Sequence, residues 1–372
     1  MAFDVVVIGL GAMGSAALYQ LAKRGVRVAG IERFEPGHDR GSSHGLTRII
    51  RLGYFEHPSY VPLVRHAYAL WRDLEAASGE KLLTVTGIAE IGSPDSVLVR
   101  GTLASSRQHG LPHEVLDASD LMRRYPQFRI PADFIGVVQP DGGFLEPEKA
   151  IRAQLALARA AGAQIRTGEK VLGVEPTSGG VRVTTDGGTI EAGTAILAAG
   201  AFASSLLPKG ALPLHVTRQA LIWFEPRTPA LFAPDRFPVF MIESAGGIHY
   251  GFPVHDGAMK VALHHHERET VDPETYDRAV SPHDEALIRS GLSAYIPAAN
   301  GARVAAKTCL YTMTPDEDFV IGPLPGSPRI IVASPCSGHG FKFAPAIGEI
   351  LADLAITGET AHDIGRFSPA RF

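Results

Sequence analysis

DVVVIGLGAMGSAALYQLAKRGVRVAGIE, residues 4–32, opens with a β-branched run from Asp4 to Ile8. A helical stretch follows from Ser15 to Arg24, then a second strand from Val26 to Ile31 that ends at Glu32. Between the first strand and the helix stands Gly9-Leu10-Gly11-Ala12-Met13-Gly14, which is G-x-G-x-x-G. The glycines let the backbone turn tightly and approach a pyrophosphate, with Ala12 and Met13 at the helix entry. The helix N-terminus offers free N–H groups and a positive dipole, and Glu32 is placed to accept a ribose hydroxyl. The glycine spacing alone is a weak signal, compatible with a bare structural turn. Strand, helix and an acid about 20 residues on turn it into a dinucleotide site on a Rossmann-type α/β unit.

In an NAD dehydrogenase strands and helices would go on alternating from residue 33. Here a loop runs from Phe34 to Gly45 and leads into GSSHGLTRIIR, residues 41–51. Read as a helix, this stretch sets His44, Arg48 and Arg51 at i, i+4 and i+7, one above another on a single face. Such a cationic stripe needs an anion. A formal net charge of −4 and a pI near 6.4 argue against nucleic acid or an anionic membrane surface as that anion, which leaves a small molecule.

At 372 residues the chain has room for two domains or one large one, and 45% hydrophobic against 20% charged residues excludes a disordered chain. Apolar runs such as Ala195 to Ala203 are too short to span a bilayer, and the start lacks a basic leader, so a cytoplasmic protein is expected. Two cysteines, Cys309 and Cys336, are too few for a disulfide framework and are expected as thiols. The run HHHE at 264–267 invites a metal reading but lacks a second ligand cluster at a recognisable spacing, so no metal site is expected and His265 and His266 are read as exposed loop residues.

Further along, Ser59 and Gly79 bracket a helix with Val61, Val64, Tyr68, Trp71 and Leu74 at helical spacing. KVLGVEPTSGGVRVTTDGGTIEAGTAILAAG, residues 170–200, reads as a strand, a hairpin and a buried strand into Gly200. Flavoproteins on a Rossmann core commonly carry this excursion, which puts Val171 and Gly200 beside a cofactor. Residues 248–267 read as two strands around a turn at His255 to Gly257. On the second strand Met259, Val261 and Leu263 alternate with Lys260, Ala262 and His264. Near the end, a strand from Ile330 to Ala333 leads through a glycine-rich loop into a helix with Ile347, Ile350, Leu351 and Leu354 on one face.

G-S-x-H-G-x-T-R-I-I-R at 41–51, Y-x-x-x-P-D-E-D-F at 311–319 and S-G-H-G-F-K-F at 337–343, with the N-terminal fingerprint, resemble one family. It is the monomeric sarcosine oxidase and N-methyltryptophan oxidase family of flavin amine oxidases, and the similarity is collinear over nearly the whole chain. The resemblance implies a monomer with a discontinuous FAD-binding domain of α/β type, residues 1–84, 145–216 and 317–372. An antiparallel-sheet (α+β) substrate domain, 85–144 and 217–316, would roof the site. It also implies FAD contacts from Ser42, Ser43, Arg48, Gly338, His339, Gly340, Phe341 and Lys342, and covalent attachment through Cys309. Arg51 and Lys342 would grip a substrate carboxylate, Lys260 would activate O2, and His44, Arg48, His264, Tyr250 and Tyr311 would line the flavin face, with Tyr54 near the mouth. The activity implied is oxidation of an N-methyl, N-substituted or cyclic amino acid. The rivals are a dehydrogenase that passes electrons to a quinone or protein, and a non-catalytic flavin-binding protein. Ser43, Leu46, Leu52-Gly53 and Cys336 depart from the family pattern and leave the substrate open.

Overall fold

A computed structural model describes residues 3–372. At its centre is the strand Phe3–Ile8, whose stretch from Val5 to Ile8 is continuously apolar because both of its faces are covered. It pairs in parallel with Val28–Glu32 on one side and Gly188–Leu197 on the other, and Gln164–Thr167 extends the sheet beyond Val28–Glu32. Side chains alternate. Val5 and Val7 join the core with the helices Ala12–Lys23, Tyr60–Ser78, Pro147–Ala160 and Ala344–Thr357, whereas Val6 and Ile8 meet Val181, Val183 and Ile190 on the opposite face.

The expected hairpin is present as Val171–Pro176, Val181–Thr185 and the 10-residue strand Gly188–Leu197. That long strand serves two neighbours on one edge. Its first half pairs with the hairpin, and its second half pairs in parallel with Ser327–Ser334. The helix Tyr60–Ser78 ends where Gly79 takes φ 73°, as its position suggested, but the Ser59 hydroxyl bonds to His57 and makes no capping bond.

A second, eight-stranded sheet faces the first domain, in the order Arg303–Met313, His215–Phe224, Met259–Leu263, Gly247–Gly251, Val239–Ser244, Ile88–Gly92, Ile135–Gln139 and Glu114–Asp117. All neighbours are antiparallel except Val239–Ser244 and Ile88–Gly92, which come from distant segments with no hairpin between them to impose direction. Met259, Val261 and Leu263 pack beneath the helix Pro282–Tyr295, as the alternation predicts. The opposite face, with Leu221, Trp223, Ala262 and Cys309, looks toward the first sheet.

The helical reading of residues 44–51 is overturned. Arg48–Ile50 is a strand paired with Gly143–Leu145, the middle strand of a three-stranded sheet that includes Leu83–Val85. Gly45 at φ 92° and Leu46 at φ 66° cannot belong to a right-handed helix, and the β-branched Thr47, Ile49 and Ile50 favour extension. His44, Arg48 and Arg51 therefore do not stack on one face. Among the described residues no helix is long and apolar enough to cross a membrane.

Candidate active site

One cavity lies between the two sheets. Its inner end is the first turn. Gly9 takes φ 84°, and a Cβ there would lie 2.6 Å from the Ala198 carbonyl oxygen; a Cβ on Gly14 would lie 1.8 Å from that of Gly9. Strand, loop and helix thus touch through bare backbone. Gly11 stands at the N-cap of Ala12–Lys23 without a side-chain cap, so the N–H groups there face the cavity. Glu32 is buried and accepts the N–H groups of Leu10 at 2.8 Å and Phe34 at 3.0 Å. Burial raises its pKa, but His38 and these two donors outweigh that and hold the carboxyl below its ordinary range.

Gly9, Gly11, Ala12, Met13, Glu32, Ser42, Ser43, Val171 and Gly200 all line this cavity; Gly14 sits just behind its wall. From there the cavity runs past Cys309, Arg48, Tyr250, Tyr311 and His264 to Arg51 and Lys342, with Gly338, His339, Gly340 and Phe341 along one side. Cys309 and Tyr311 share a face because they lie two apart on Arg303–Met313. The Arg48 guanidinium donates to the carbonyls of Ser42 (2.6 Å) and Thr47 (2.8 Å) and lies 3.6 Å from Cys309 Sγ. Burial raises the Cys309 thiol pKa against the pull of Arg48.

Lys260 and His44 stand behind the wall formed by residues 45–48. The Lys260 Nζ donates to the carbonyls of Gly45, at 2.8 Å, and Thr47, and lies 4.4 Å from the Phe252 ring centroid. Burial, then Arg48, push its pKa well below that of an ordinary lysine. His44 is buried with both ring nitrogens unpartnered, and burial, then Arg48, push its pKa down to about 3.

The far end, also buried, holds the charges. Arg51, 2% exposed, donates from Nη2 to both Glu56 carboxylate oxygens at 2.7 Å and from Nη1 to the Gly53 carbonyl at 2.6 Å. Its guanidinium lies 4.3 Å from the Tyr54 ring centroid, and Glu90 Oε1 is 3.7 Å from its Nε. Burial opposes the Arg51 charge, but Glu56 and Glu90 hold its pKa above the ordinary value. Lys342 Nζ donates to the His339 carbonyl at 2.6 Å and to Tyr54 Oη at 3.4 Å; burial, then Arg51, push its pKa down to about 7. Burial pushes the Glu90 carboxyl up to about 7 against Arg51, and neither of its oxygens has a hydrogen-bond partner.

Two expectations change at this end. Tyr54 is not near the mouth: it is fully buried, stacked on Tyr60 at 4.9 Å, and its hydroxyl meets His339 Nδ1 at 2.7 Å. His265 and His266, read from sequence as exposed loop residues, are held in place. The His265 ring packs on His264 at 3.9 Å, and His266, with its side chain 1% exposed, meets Asp284 at 2.7 Å because the adjacent Arg218–Asp284 pair draws it inward. Glu56, Glu90 and Met241 were missed. A buried Arg51 demands a counter-ion, and Glu56 five residues on was the acid within reach; no local signal marks Glu90 or Met241, which are neighbours only through sheet pairing.

The family described as FAD dependent oxidoreductase matches residues 4–354. The chain belongs to this family. Monomeric sarcosine oxidase of Streptomyces avermitilis is 44% identical over 99% of the chain and 97% of that protein. N-methyl-L-tryptophan oxidase of Yersinia pestis is 36% identical over the full length of both. Among solved structures, NikD, an unusual amino acid oxidase essential for nikkomycin biosynthesis, superposes with a TM-score of 0.87 at 31% identity, covering 99% of this chain and 97% of that one. The parallel strands Phe3–Ile8 and Val28–Glu32 of this chain flank the glycine turn.

The inner cavity fits FAD. A side chain at Gly14 would fill the turn, the uncapped helix start presents N–H groups to a pyrophosphate, and Glu32 keeps an ionised oxygen beside them for a ribose hydroxyl.

Proposed function

We propose that this chain is an FAD-dependent oxidase of secondary amines. It takes an N-methyl, related N-substituted or cyclic amino acid such as sarcosine to an imine that hydrolyses to aldehyde and amino acid, while O2 becomes H2O2. The observation that carries the reading is a single cavity with the glycine turn and Glu32 at one end and Arg51 with Lys342 at the other. FAD, when bound, supplies the two-electron acceptor.

The protein's own residues bind and orient. A substrate carboxylate competes with Glu56 for the planar Arg51 guanidinium, which accommodates two parallel charge-assisted hydrogen bonds. Lys342 adds a second cation, and binding an anion beside it favours its protonated form. Tyr250, Tyr311 and His264 wall the space between that grip and the cofactor end and exclude water from it. A cationic surrounding also favours loss of the amine proton that blocks oxidation. Lys260, whose ammonium is favoured against burial and Arg48 by the Gly45 and Thr47 carbonyls it donates to, supplies positive charge beside the cavity where O2 is reduced; about 4 kcal/mol is available for a charge 4 Å away at an effective dielectric of 20. Cys309, on the cavity wall beside Arg48, is the tethering thiol. The protein acts as a cytoplasmic monomer, and the two large sheets support the division into FAD domain (1–84, 145–216, 317–372) and substrate domain (85–144, 217–316).

A peroxide-coupled screen of N-methylated, cyclic and glycated amino acids with the purified protein tests the reading. Peroxide in proportion to aldehyde is the expected result. Turnover only with an artificial electron acceptor would replace the oxidase with a dehydrogenase.

A further inference from the structure

Away from the cavity, three metal-ligating side chains meet that the sequence keeps far apart. His66 comes from the helix Tyr60–Ser78, Glu349 from Ala344–Thr357, and His362 from the segment that follows. His66 Nε2 lies 3.0 Å from Glu349 Oε1, and His362 Nε2 lies 3.2 Å from the same oxygen. One ligand atom from each residue falls within 4.8 Å of the other two, and the imidazole rings are 4.8 Å apart at 45°.

We propose that His66, Glu349 and His362 bind one divalent transition-metal ion, with zinc the best match. A tetrahedral site with bonds of about 2.0 Å has ligand-to-ligand edges of about 3.3 Å. The two nitrogen-to-oxygen edges already have that length within a few tenths of an ångström, so only the approach of the two nitrogens remains to be made. Two imidazoles and one carboxylate are a donor set for zinc, cobalt or nickel, whereas calcium and magnesium require oxygen ligands in greater number. Side-chain exposures of 37%, 24% and 22% leave the site open to solvent, and a water completes the coordination.

None of the three residues lines the cavity, so the ion has a structural role. It joins two helices of the first domain to the C-terminal segment. That segment is otherwise held by Arg366 on Asp318, Arg371 on Asp316, and Phe367 against Tyr60 and Phe319 at 5.1 and 5.3 Å. Tyr60 in turn stacks on Tyr54, which bonds His339 and Lys342, so the ion braces the aromatic layer beneath the anion-binding end. The inference is independent of the proposed reaction.

The test is titration of the chelator-treated, desalted flavoprotein with zinc chloride by calorimetry. Cobalt(II) spectroscopy and thermal melts complete it. One zinc per chain, a raised Tm and the intense visible bands of tetrahedral cobalt are expected, with no competition from magnesium. His66→Gln and His362→Gln should each weaken zinc by at least about tenfold and abolish the rise in Tm, and Glu349→Gln should weaken it. His265→Gln, in the HHHE run, should leave zinc binding unchanged. The absence of saturable one-site binding in the unaltered protein overturns the proposal, whatever the variants do. So does zinc that persists in the His66→Gln/His362→Gln double variant, or that is lost in His265→Gln.

Discussion

Glu90 is a fully buried carboxyl with no hydrogen-bond partner, in a sheet position that only the parallel pairing with Met241 brings beside Arg51. Its pKa, about 7 against an ordinary 4.5, means that the folded protein holds this proton more tightly than the unfolded chain. Its contribution to stability therefore falls as pH rises from about 4.5 to about 7 and stays low above that. Glu90→Gln should leave Tm unchanged near pH 4.5 and raise it above pH 7, by the equivalent of up to about 3 kcal/mol, read from melts across that range. Lys342, lowered from 10.5 to about 7, has the opposite slope: its burial costs stability below about pH 7, and the cost fades as pH rises toward 10.5. At the same end, Arg51→Lys replaces a planar fork with a point charge. It should raise KM for an amino-acid substrate by about ten- to a hundredfold, and an unchanged KM would remove Arg51 from the grip. Lys260→Met should leave anaerobic reduction by substrate intact and slow reoxidation by O2; stopped-flow traces of equal reoxidation rate would dismiss the oxygen role.

At the scale of elements, the first turn tolerates nothing larger than glycine. Gly14→Ala places a Cβ 1.8 Å from the Gly9 carbonyl oxygen, which forces strand and helix apart, so yellow colour should be lost before the fold is. The helix Pro282–Tyr295 depends on Asp284, which completes a capping box with Ser281, holds Arg218 at 2.8 and 2.9 Å and meets His266. Burial works against the Asp284 charge, but Arg218 and the Ser281 donors hold its pKa below the ordinary 3.8. This stabilisation is present above pH 3.8 and is lost as pH falls below it. Asp284→Ala should cost about 3 to 5 kcal/mol in denaturant melts at pH 7, because it strands a buried guanidinium. Element types were legible where periodicity was long, as in Tyr60–Ser78, Ala344–Thr357 and the hairpin of 171–197. The short run Arg48–Ile50 was not, since three residues carry no period and its partner Gly143–Leu145 lies far along the chain.

For the molecule as a whole, the cavity exists only where the Rossmann-type turn of the first sheet faces Leu221, Tyr250, Cys309 and Tyr311 of the second. If Cys309 tethers the cofactor, Cys309→Ser protein should release all its flavin on acid precipitation, whereas the parent pellet stays yellow. The dinucleotide turn, the acid at 32 and the alternation that separates Lys260 from Met259 were fixed by local order, whereas the pairing of Arg51 with Lys342 was implied only by the resemblance to the flavin amine oxidases. Glycine spacing, side-chain period and residue chemistry act over a few residues and need no partner. Glu56, five residues on, was within local reach of Arg51, but that Arg51 is buried and that Glu90 joins it as a sheet neighbour was decided only in three dimensions. The same holds for Lys260 behind the wall of residues 45–48 and for the meeting of His66, Glu349 and His362. Burial and counter-charge depend on which distant segments share a volume, and one-dimensional order does not state that.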